Sequence, residues 1–316
     1  MDFRALIPDY IDQEPGTYDF KFTVFTSVYN AEATIERTHE SLLNQSLTDF
    51  EWLVINDGST DNTDAVMNKL VASSPLKIHY VNNPLNKHKM SCFLQAVKLA
   101  KGQFFLTFDA DDQCMPEALQ VFNEEYESIP DDKKENVIAV TGLCIDEHGN
   151  KVGDDYPSSP YYSDPFEIYA IDKIDGEKWG FTKTDKLRGV HYKPELFDHG
   201  YIPEGLIWNV LGMQGFKTKY INKVLRTYHI GIENSISNSP LAKTAVGSTI
   251  NYLANINWFF ENYWFKTPLF FLKNLYYILR FSNYQPYRRR CYTKSIDPGI
   301  MKILFTLLWP FRSLVK

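Results

Sequence analysis

Three carboxylates stand among four consecutive positions in the stretch FDADDQ, residues 108–113. Asp109, Asp111 and Asp112 directly follow the apolar run FFLTF, which is typical of a buried strand. Like charges this close repel each other, so the pattern predicts a cation that compensates them. Alternation along an extended or turning backbone directs Asp109 and Asp111 to one side, where their oxygens suit Mg²⁺ or Mn²⁺. Because such an ion binds one or two carboxylates together with phosphate oxygens, we expect a phosphorylated ligand.

Two other interpretations of the acidic cluster were weighed against this one. An EF-hand calcium loop counted from Asp109 fails, because its sixth position is Cys114 instead of glycine and its twelfth is a glutamine. A purely structural role stays open, in which Asp111 or Asp112 caps the helix that follows Pro116.

Apolar strand patterns alternate with helical patterns over the first half of the chain, which predicts an α/β fold with a mostly parallel, doubly wound sheet. In such sheets ligands bind at the carboxyl ends of the strands, where Asp57 and Asp109 both fall. An Asx-turn in the sequence NDGS is the structural alternative for Asp57. The predicted strands are Phe22–Val28, Phe50–Ile55, Ile78–Val81, Phe104–Phe108 and Val137–Ile145, and the predicted helices follow Asn30 as N-cap, cover Asp64–Ala72 and Met90–Ala100, and follow Pro116.

Composition and charge bound the class of protein. The chain has 316 residues, 44% of them hydrophobic and 23% charged, as in ordinary folded proteins. Its four cysteines lack C-x-x-C spacing, which argues against a zinc knuckle or a disulfide framework and for a reducing compartment. The first residues lack the pattern of a signal peptide, and no apolar run reaches the ~20 residues of a spanning helix.

The charge is distributed unevenly along the chain. The net charge is −6, but from Lys266 onward ten basic residues face one acid, Asp297. The sequence therefore predicts an acidic body joined to a basic, aromatic tail, and the acidic body argues against nucleic acid as a partner.

Three stretches together resemble the inverting family 2 glycosyltransferases with the GT-A fold. They are TSVYNAEATIERTHESLLNQSLTDFEWLVINDGSTDNT, AKGQFFLTFDADD and YIPEGLIWNVLGMQGFKTKYINKVLRTYH, and the resemblance runs over about residues 22–228. It implies a nucleotide-diphosphate sugar donor, with uridine favoured as the base and thymidine and guanosine as the alternatives. It also implies a divalent cation, Mn²⁺ or Mg²⁺, and inversion at the sugar's anomeric carbon.

The resemblance also implies roles for single donor-site residues. Asp57 would accept a hydrogen bond from the ring N–H of the base. Asp109 would lie near the ribose and the diphosphate, and Asp111 would hold the metal. Lys87 would meet the diphosphate, with a solvated basic loop as the alternative. The residues expected to line the base are Thr26, Ser27, Tyr29 and Asn30.

On the acceptor side, Glu204 is predicted to be the general base, since it is the one acid in the stretch IPEGL where relatives carry an acid. Capping of the following helix is its structural alternative. Trp179, in EKWGFTKTDKLR, is expected to offer an apolar face to an acceptor sugar, with a core position as the alternative. For His229 a core position is favoured over a metal or phosphate contact.

The predicted organisation is an N-terminal extension (1–20), a GT-A domain (21–240) and a helical C-terminal region (241–316). The GT-A domain divides into a nucleotide-binding half (21–112) and an acceptor half (113–240). Basic and aromatic segments of the tail favour peripheral contact with the inner face of the plasma membrane. A cap packed on the domain and a homodimer contact are the alternatives.

The sequence thus predicts a cytoplasmic glycosyltransferase that moves a sugar to a hydroxyl of a glycan or lipid-linked acceptor in surface polysaccharide synthesis. Two other classes stay open. A sugar-nucleotide nucleotidylyltransferase would need a Gly-rich loop with Lys or Arg after the first strand, where this chain reads TSVYNAEAT. A non-catalytic nucleotide-sugar-binding or scaffold protein would keep the pocket without the chemistry.

Overall fold

A computed structural model describes residues 1–229 and 240–315, apart from the side chains of residues 198 and 199. The strands are β1 Asp9–Tyr10, β2 Phe20–Val28, β3 Phe50–Asp57, β4 Ile78–Asn83, β5 Gly102–Thr107, β6 Gln113–Cys114, β7 Val137–Asp146, β8 Tyr161–Ser163, β9 Lys178–Lys183, β10 Val190–His191 and β11 Lys217–Tyr228. The helices are α1 Ile35–Leu43, α2 Thr63–Ser73, α3 Lys89–Leu99, α4 Ala118–Glu127, α5 Asp131–Lys134, α6 Thr184–Arg188, α7 Gly205–Met213, α8 Leu241–Tyr263, α9 Pro268–Ser282, α10 Arg289–Ser295 and α11 Gly299–Leu308.

The main sheet has the order β4-β3-β2-β5-β9-β7-β11-β6, and β8 pairs with the far side of β11. The first four strands are parallel, with helices in the connections between them, as the alternating pattern predicts. Strand β9 enters between β5 and β7 and runs antiparallel to both. The α/β prediction is confirmed, and the sheet consists of a parallel first half and a mixed second half.

Both faces of the sheet are covered, and the alternation of side chains explains how. In β3, Trp52 and Val54 belong to the core on one face, whereas Leu53 and Ile55 belong to the core on the other. Burial on both faces accounts for the continuous apolar character of the run FEWLVI. Each strand therefore has its position fixed by packing, and its carboxyl end is a rigid support for a polar side chain.

The start of the first helix differs from the prediction. Helix α1 begins at Ile35, and Asn30 is not its N-cap. Asn30 instead adopts a left-handed backbone conformation with φ of 53°. Its side-chain oxygen accepts a hydrogen bond of 2.8 Å from the backbone N–H of Thr60. The asparagine therefore ties the loop after β2 to the loop after β3, a long-range contact that no local pattern reveals.

The C-terminal helices pack on the α/β body. Ile250, Leu253 and Ala254 of α8 lie in the same core as strand residues of the sheet. Phe259 stacks on Phe166 with ring centroids 4.0 Å apart. The inner faces of this region therefore form a cap on the domain. Within residues 1–229 and 240–315, no helix combines the length and the hydropathy needed to cross a bilayer.

The N-terminal segment joins the body to the last helices. Phe3 is fully buried, with its ring 4.9 Å from that of Tyr292 and 5.4 Å from that of Tyr287. Arg4 forms an ion pair of 2.7 Å with Asp297, and β1 pairs with β10. The contacts of Phe3 and Arg4 link residues that are almost 300 positions apart, so the first residues help to hold α10 in place.

We predict that Phe3→Ala lowers the free energy of unfolding by about 3 kcal/mol, because it leaves a cavity under two aromatic rings. Phe265→Ala is the matched control, since Phe265 is 94% exposed and should change stability little. Urea unfolding followed by circular dichroism measures both. Equal midpoints for the two variants would contradict the role of Phe3.

Candidate active site

The acidic residues singled out in the sequence come together at one edge of the sheet. Asp57 is the last residue of β3, and Asp109 is the second residue after the end of β5. Strand β2 lies between β3 and β5 and is parallel to both. The carboxyl ends of the three strands therefore point the same way, and the edge they form is where ligands of such sheets bind.

Asp57 closes the nucleotide side of this edge. Its carboxylate is buried and accepts a hydrogen bond of 2.7 Å from the backbone N–H of Lys87. The thiol of Cys92 also faces Asp57, and its pKa is raised to about 12 by burial and by the charge of that carboxylate. A single buried carboxylate thus anchors the 84–88 loop against the end of β3. Lys87 is close to Asp57 through its backbone, while its side chain is exposed.

The four residues expected to line the base differ in their exposure. Tyr29 and Asn30 are exposed at the end of β2, and Ser27 is half-buried and faces the thiol of Cys92. Thr26 is fully buried, and its hydroxyl oxygen accepts a hydrogen bond of 3.0 Å from the indole N–H of Trp52. The side chain of Thr26 thus points into the core, and only its backbone faces the ligand edge.

Asp109 is paired with a lysine that the sequence reasoning did not select. The ammonium of Lys89, in the first turn of α3, lies 2.7 Å from Oδ1 of Asp109. The charge of Lys89 is the main reason why the pKa of Asp109 is lowered, and Arg226 acts in the same direction from 3.9 Å. Asp109 therefore stays ionised, and a fixed cation lies where a diphosphate would bind.

Arg226 of β11 organises the other carboxylates of the cluster. Its side chain is only 5% exposed, and its guanidinium lies 3.3 Å from Asp112 and 3.0 Å from Glu177. Burial raises the pKa of Asp112 to about 7, although the charge of Arg226 opposes this effect. The other oxygen of Asp112 accepts a hydrogen bond of 3.1 Å from the backbone N–H of His229. Asp112 is thus held within the protein and is not available to a ligand.

Asp111 has a different environment. The guanidinium of Arg37 donates a hydrogen bond to its backbone carbonyl, but among the described residues no side chain pairs with its carboxylate. Burial and the charge of Asp109 raise its pKa. The charges of Arg37 and Lys89 oppose this shift, but neither forms an ion pair with the carboxylate, so Asp111 is suited to a metal ion. The helix-capping alternative does not hold, because α4 has Glu117 at its N-cap position.

The residues present fit a divalent cation that is held in part by its substrate. Over residues 1–229 and 240–315, no three His, Cys, Asp or Glu side chains form a complete metal site. A Mg²⁺-like ion bound by one or two carboxylates, phosphate oxygens and water does not require one. Asp111 is the residue that would hold it.

His229 is only half-buried, with its ring nitrogen 3.2 Å from Gln113, so the favoured core position for this histidine is wrong.

Glu204 lies close enough to this cluster for the charges of its residues to act on it. It occupies the N-cap position of α7, but its side chain makes no capping hydrogen bond, which argues against the structural alternative. Burial raises its pKa, and the charges of Lys89, Asp109, Glu177 and Arg226 all act on it. A carboxyl group with a raised pKa beside a phosphate-type site has the properties of a general base.

Trp179 is a correction to the prediction. It was expected to offer a face to the acceptor, but it is only 3% exposed and packs between Phe108 and Phe122, with ring centroids 5.3 Å from each. Its indole N–H donates a hydrogen bond of 2.6 Å to the carbonyl of Thr107. Antiparallel insertion of β9 directs this side chain into the core, so it supports the strand that carries Asp109 and cannot contact a sugar.

Three residues of the site were missed by sequence reasoning: Lys89, Arg226 and Glu177. For Arg226 a signal was present, since a lone arginine within the strand pattern KVLRTY indicates a buried cation that needs acidic partners. Lys89 lies two residues after Lys87, which the sequence reasoning selected, and only the start of α3 determines which lysine faces Asp109. No local pattern marks Glu177.

Comparison with known proteins agrees with this geometry. The family model described as glycosyl transferase family 2 matches residues 23–181, half of the chain. The chain is 31% identical over 157 residues to the hyaluronan synthase of Pasteurella multocida, a match that covers 49% of this chain and 15% of that protein. It is 30% identical over 141 residues to the chondroitin synthase of Escherichia coli, covering 45% and 20%.

A third relative is matched over more of its length. The chain is 22% identical over 221 residues to the GalNAc(5)-diNAcBac-PP-undecaprenol beta-1,3-glucosyltransferase of Campylobacter jejuni, covering 69% of this chain and 67% of that protein. The two synthases are much longer proteins, of which this chain spans a fifth or less.

Solved structures show the same fold. S. aureus TarS (residues 1–349) in complex with UDP-GlcNAc aligns over 93% of this chain and 87% of its own, with a TM-score of 0.54 at 17% identity. GalNAc-T7 with UDP, GalNAc and Mn²⁺ aligns over 75% and 50%, with a TM-score of 0.51 at 11% identity. Together with the sheet order and the acidic edge, these findings show that the chain belongs to glycosyl transferase family 2 and has the GT-A fold.

Proposed function

We propose that this chain is an inverting, metal-dependent glycosyltransferase of surface polysaccharide synthesis. It transfers a sugar from a UDP-sugar to a hydroxyl group of a glycan or lipid-linked acceptor. The observation that carries the proposal is the carboxylate of Asp111, which forms no ion pair among the described residues and lies beside the Asp109–Lys89 pair, whose charges also act on Glu204. This arrangement combines a site for a diphosphate, a site for its counterion and a base in one cleft.

The donor proposal rests on the nucleotide edge. TarS and GalNAc-T7, which share the fold, have been crystallised with UDP, and TarS also with UDP-GlcNAc. In this chain Ser27, Tyr29, Asn30 and Asp57 frame the corresponding edge, and Lys87 belongs to the loop that covers it. The carboxylate of Asp57 is suited to accept a hydrogen bond from the ring N–H of uracil.

The residues of the cleft account for the steps of an inverting transfer. Lys89 and Arg226 supply positive charge where the leaving diphosphate becomes more negative. Asp111 would hold Mn²⁺ or Mg²⁺, which supplies Lewis acidity at that diphosphate when bound. Glu204 takes the proton of the acceptor hydroxyl as that oxygen attacks the anomeric carbon from the side opposite to the diphosphate. The sheet edge and α7 hold the diphosphate site, the cation site and the base Glu204 in line with one another.

Asp111→Asn should lower the transfer rate by about a hundredfold or more, because the amide lacks the charge that holds the cation. It should also abolish the part of the thermal stabilisation by UDP that depends on Mn²⁺. Asp49→Asn, an exposed acid outside the site, is the control. A thermal-shift screen of UDP-, dTDP- and GDP-sugars with and without Mn²⁺ identifies the donor. Full activity of Asp111→Asn would refute the metal role, and absence of donor hydrolysis by the wild type would indicate a non-catalytic binding protein.

Glu204→Gln should reduce kcat by about 10²- to 10⁴-fold while leaving donor binding intact, because the amide cannot accept the proton. Since burial raises the pKa of Glu204 above 4.5, activity of the wild type should fall as the pH drops through that raised value. Glu177→Gln is the matched comparison, because Glu177 lies in the same cluster but pairs with Arg226. Assays of kcat against pH measure both variants. A larger loss of kcat in Glu177→Gln than in Glu204→Gln would indicate that Glu177 is the base.

The outer face of the C-terminal region supports peripheral contact with the cytoplasmic face of the plasma membrane. Ile303 and Leu307 of α11 are 62% and 65% exposed, although the helix buries Met301 and Phe305 beneath them. The adjoining segment exposes Phe311, and the exposed arginines at positions 288–290 lie at the start of α10. Exposed apolar side chains together with basic ones are suited to a bilayer that carries anionic lipids.

The double variant Leu307→Glu/Phe311→Glu should lose most of its co-sedimentation with vesicles that contain phosphatidylglycerol. The control is Leu43→Glu/Val71→Glu, which adds the same charge at exposed apolar positions of α1 and α2. Binding to neutral phosphatidylcholine vesicles should be weaker than to anionic ones. Equal sedimentation of both double variants would contradict the membrane face, and a shift from dimer to monomer in Leu307→Glu/Phe311→Glu would identify a homodimer contact instead.

A further inference from the structure

A cavity of about 960 Å³ opens between residues 165–175, the start of α7 and helices α8 and α9. None of the proposed donor residues lines it. Gly205 does line it, and this glycine directly follows the candidate base Glu204. The cavity therefore includes the residue next to the candidate base, and its other walls come from residues 165–175 and from helices α8 and α9.

The cavity contains a connected row of asparagine amides. Asn209 donates a hydrogen bond of 2.9 Å to Asn255, and Asn255 donates one of 3.1 Å to Asn274. The buried Oδ1 of Asn251, by contrast, has no hydrogen-bond partner among the described residues. An unpaired buried acceptor costs about 1–3 kcal/mol. A ligand hydroxyl that donates to Asn251 would remove this cost, and several hydroxyls are what a saccharide offers.

Aromatic side chains form the walls of the cavity. Trp208 lies next to Asn209 on α7, and Tyr252 stacks on Tyr277 with ring centroids 4.9 Å apart. Tyr169 lines the cavity from the opposite segment and is exposed. Apolar walls with a few fixed polar groups are typical of small-molecule sites, in which the polar groups set orientation. Aromatic faces and amides together suit the C–H faces and hydroxyls of sugar rings.

The rim of the cavity is basic in a chain whose net charge is −6. Lys173, Lys266 and Lys273 line it, and within the described residues none of them has a carboxylate within ion-pair distance. Asp175 is the single acid of the lining, and its carboxylate accepts the backbone N–H of Gly176. Three lysines without a carboxylate partner among the described residues, placed around a cavity that suits sugar rings, favour a ligand that carries negative charge.

We propose that this cavity is the acceptor site and that it binds an anionic saccharide chain, with its terminal hydroxyl directed toward Glu204. The inference rests on the proposed glycosyltransferase function and specifies its acceptor class. The negative charge comes either from uronic-acid carboxylates or from phosphodiester groups, since both pair with lysine ammonium groups. Sugar rings contact the aromatic walls and the amides, and the acidic groups contact the lysines of the rim.

The test is calorimetric titration of the full chain with three probes in the absence of donor: a hyaluronan tetrasaccharide, a glycerol-phosphate tetramer and the neutral N-acetylchitotetraose. We expect one anionic probe to bind at least about tenfold more tightly than the neutral one, and which of the two does so identifies the source of the charge. Equal or tighter binding of the neutral probe would overturn the anionic class.

Two variants test the location. Lys266→Gln/Lys273→Gln should weaken binding of the preferred anionic probe about tenfold, while Lys243→Gln/Lys294→Gln, an equal charge change outside the cavity, should not. Asn251→Leu should weaken binding without lowering the melting temperature, because it removes an acceptor that the described residues of the protein do not satisfy. Unchanged affinity in both cavity variants would overturn the site.

Donor hydrolysis without acceptor separates this inference from the function on which it rests. A wild-type chain that hydrolyses UDP-sugar but fails to prefer an anionic probe overturns the acceptor site alone. A chain that neither binds nor hydrolyses any nucleotide sugar overturns the proposed function, whatever its affinity for saccharides.

Discussion

The active-site edge depends on one buried cation. Arg226 enters from β11 and reaches Asp112 from the loop after β5 and Glu177 from the residue before β9. Removing one partner of such a buried cluster typically costs about 3–5 kcal/mol, because the remaining charges lose their compensation. Three segments that are distant in sequence are therefore held in one arrangement. Asp109 and Asp111 belong to the same loop as Asp112, so their positions follow from the same interaction.

The doubly covered sheet makes that arrangement rigid. Strands β2, β3 and β5 are buried on both faces, and aromatic contacts such as Phe22 with Phe104 at 5.3 Å fill the space between layers. Close packing leaves little freedom for the strand ends. Polar residues at and after these strand ends therefore start from fixed backbone positions, and contacts such as that of Asp109 with Lys89 orient their side chains. Trp179 contributes to this function from the core, since its hydrogen bond to Thr107 supports the strand that leads to Asp109.

The two sides of the cleft are built differently, and this difference decides what could be predicted. The proposed donor side is made of strand ends and short loops, so motifs such as NDGS and FDADD carry it almost completely. The proposed acceptor side is assembled from α7, α8, α9 and the segment around the buried Phe166. The asparagines of these helices are unremarkable in sequence, because their significance lies in facing one another across helices. Contacts of this kind have no local signature.

The sequence by itself determined the α/β class, the order of the first strands and helices, the family resemblance and the acids at the strand ends. It did so because hydrophobic periodicity and short polar motifs are local properties of the chain. Only the tertiary structure decided that Lys89 pairs with Asp109, that Trp179 is buried, that Asn30 bridges two loops and that the tail caps the domain. These facts arise from contacts between residues far apart in the chain, which depend on how β9 and the last helices pack and not on the residues beside them.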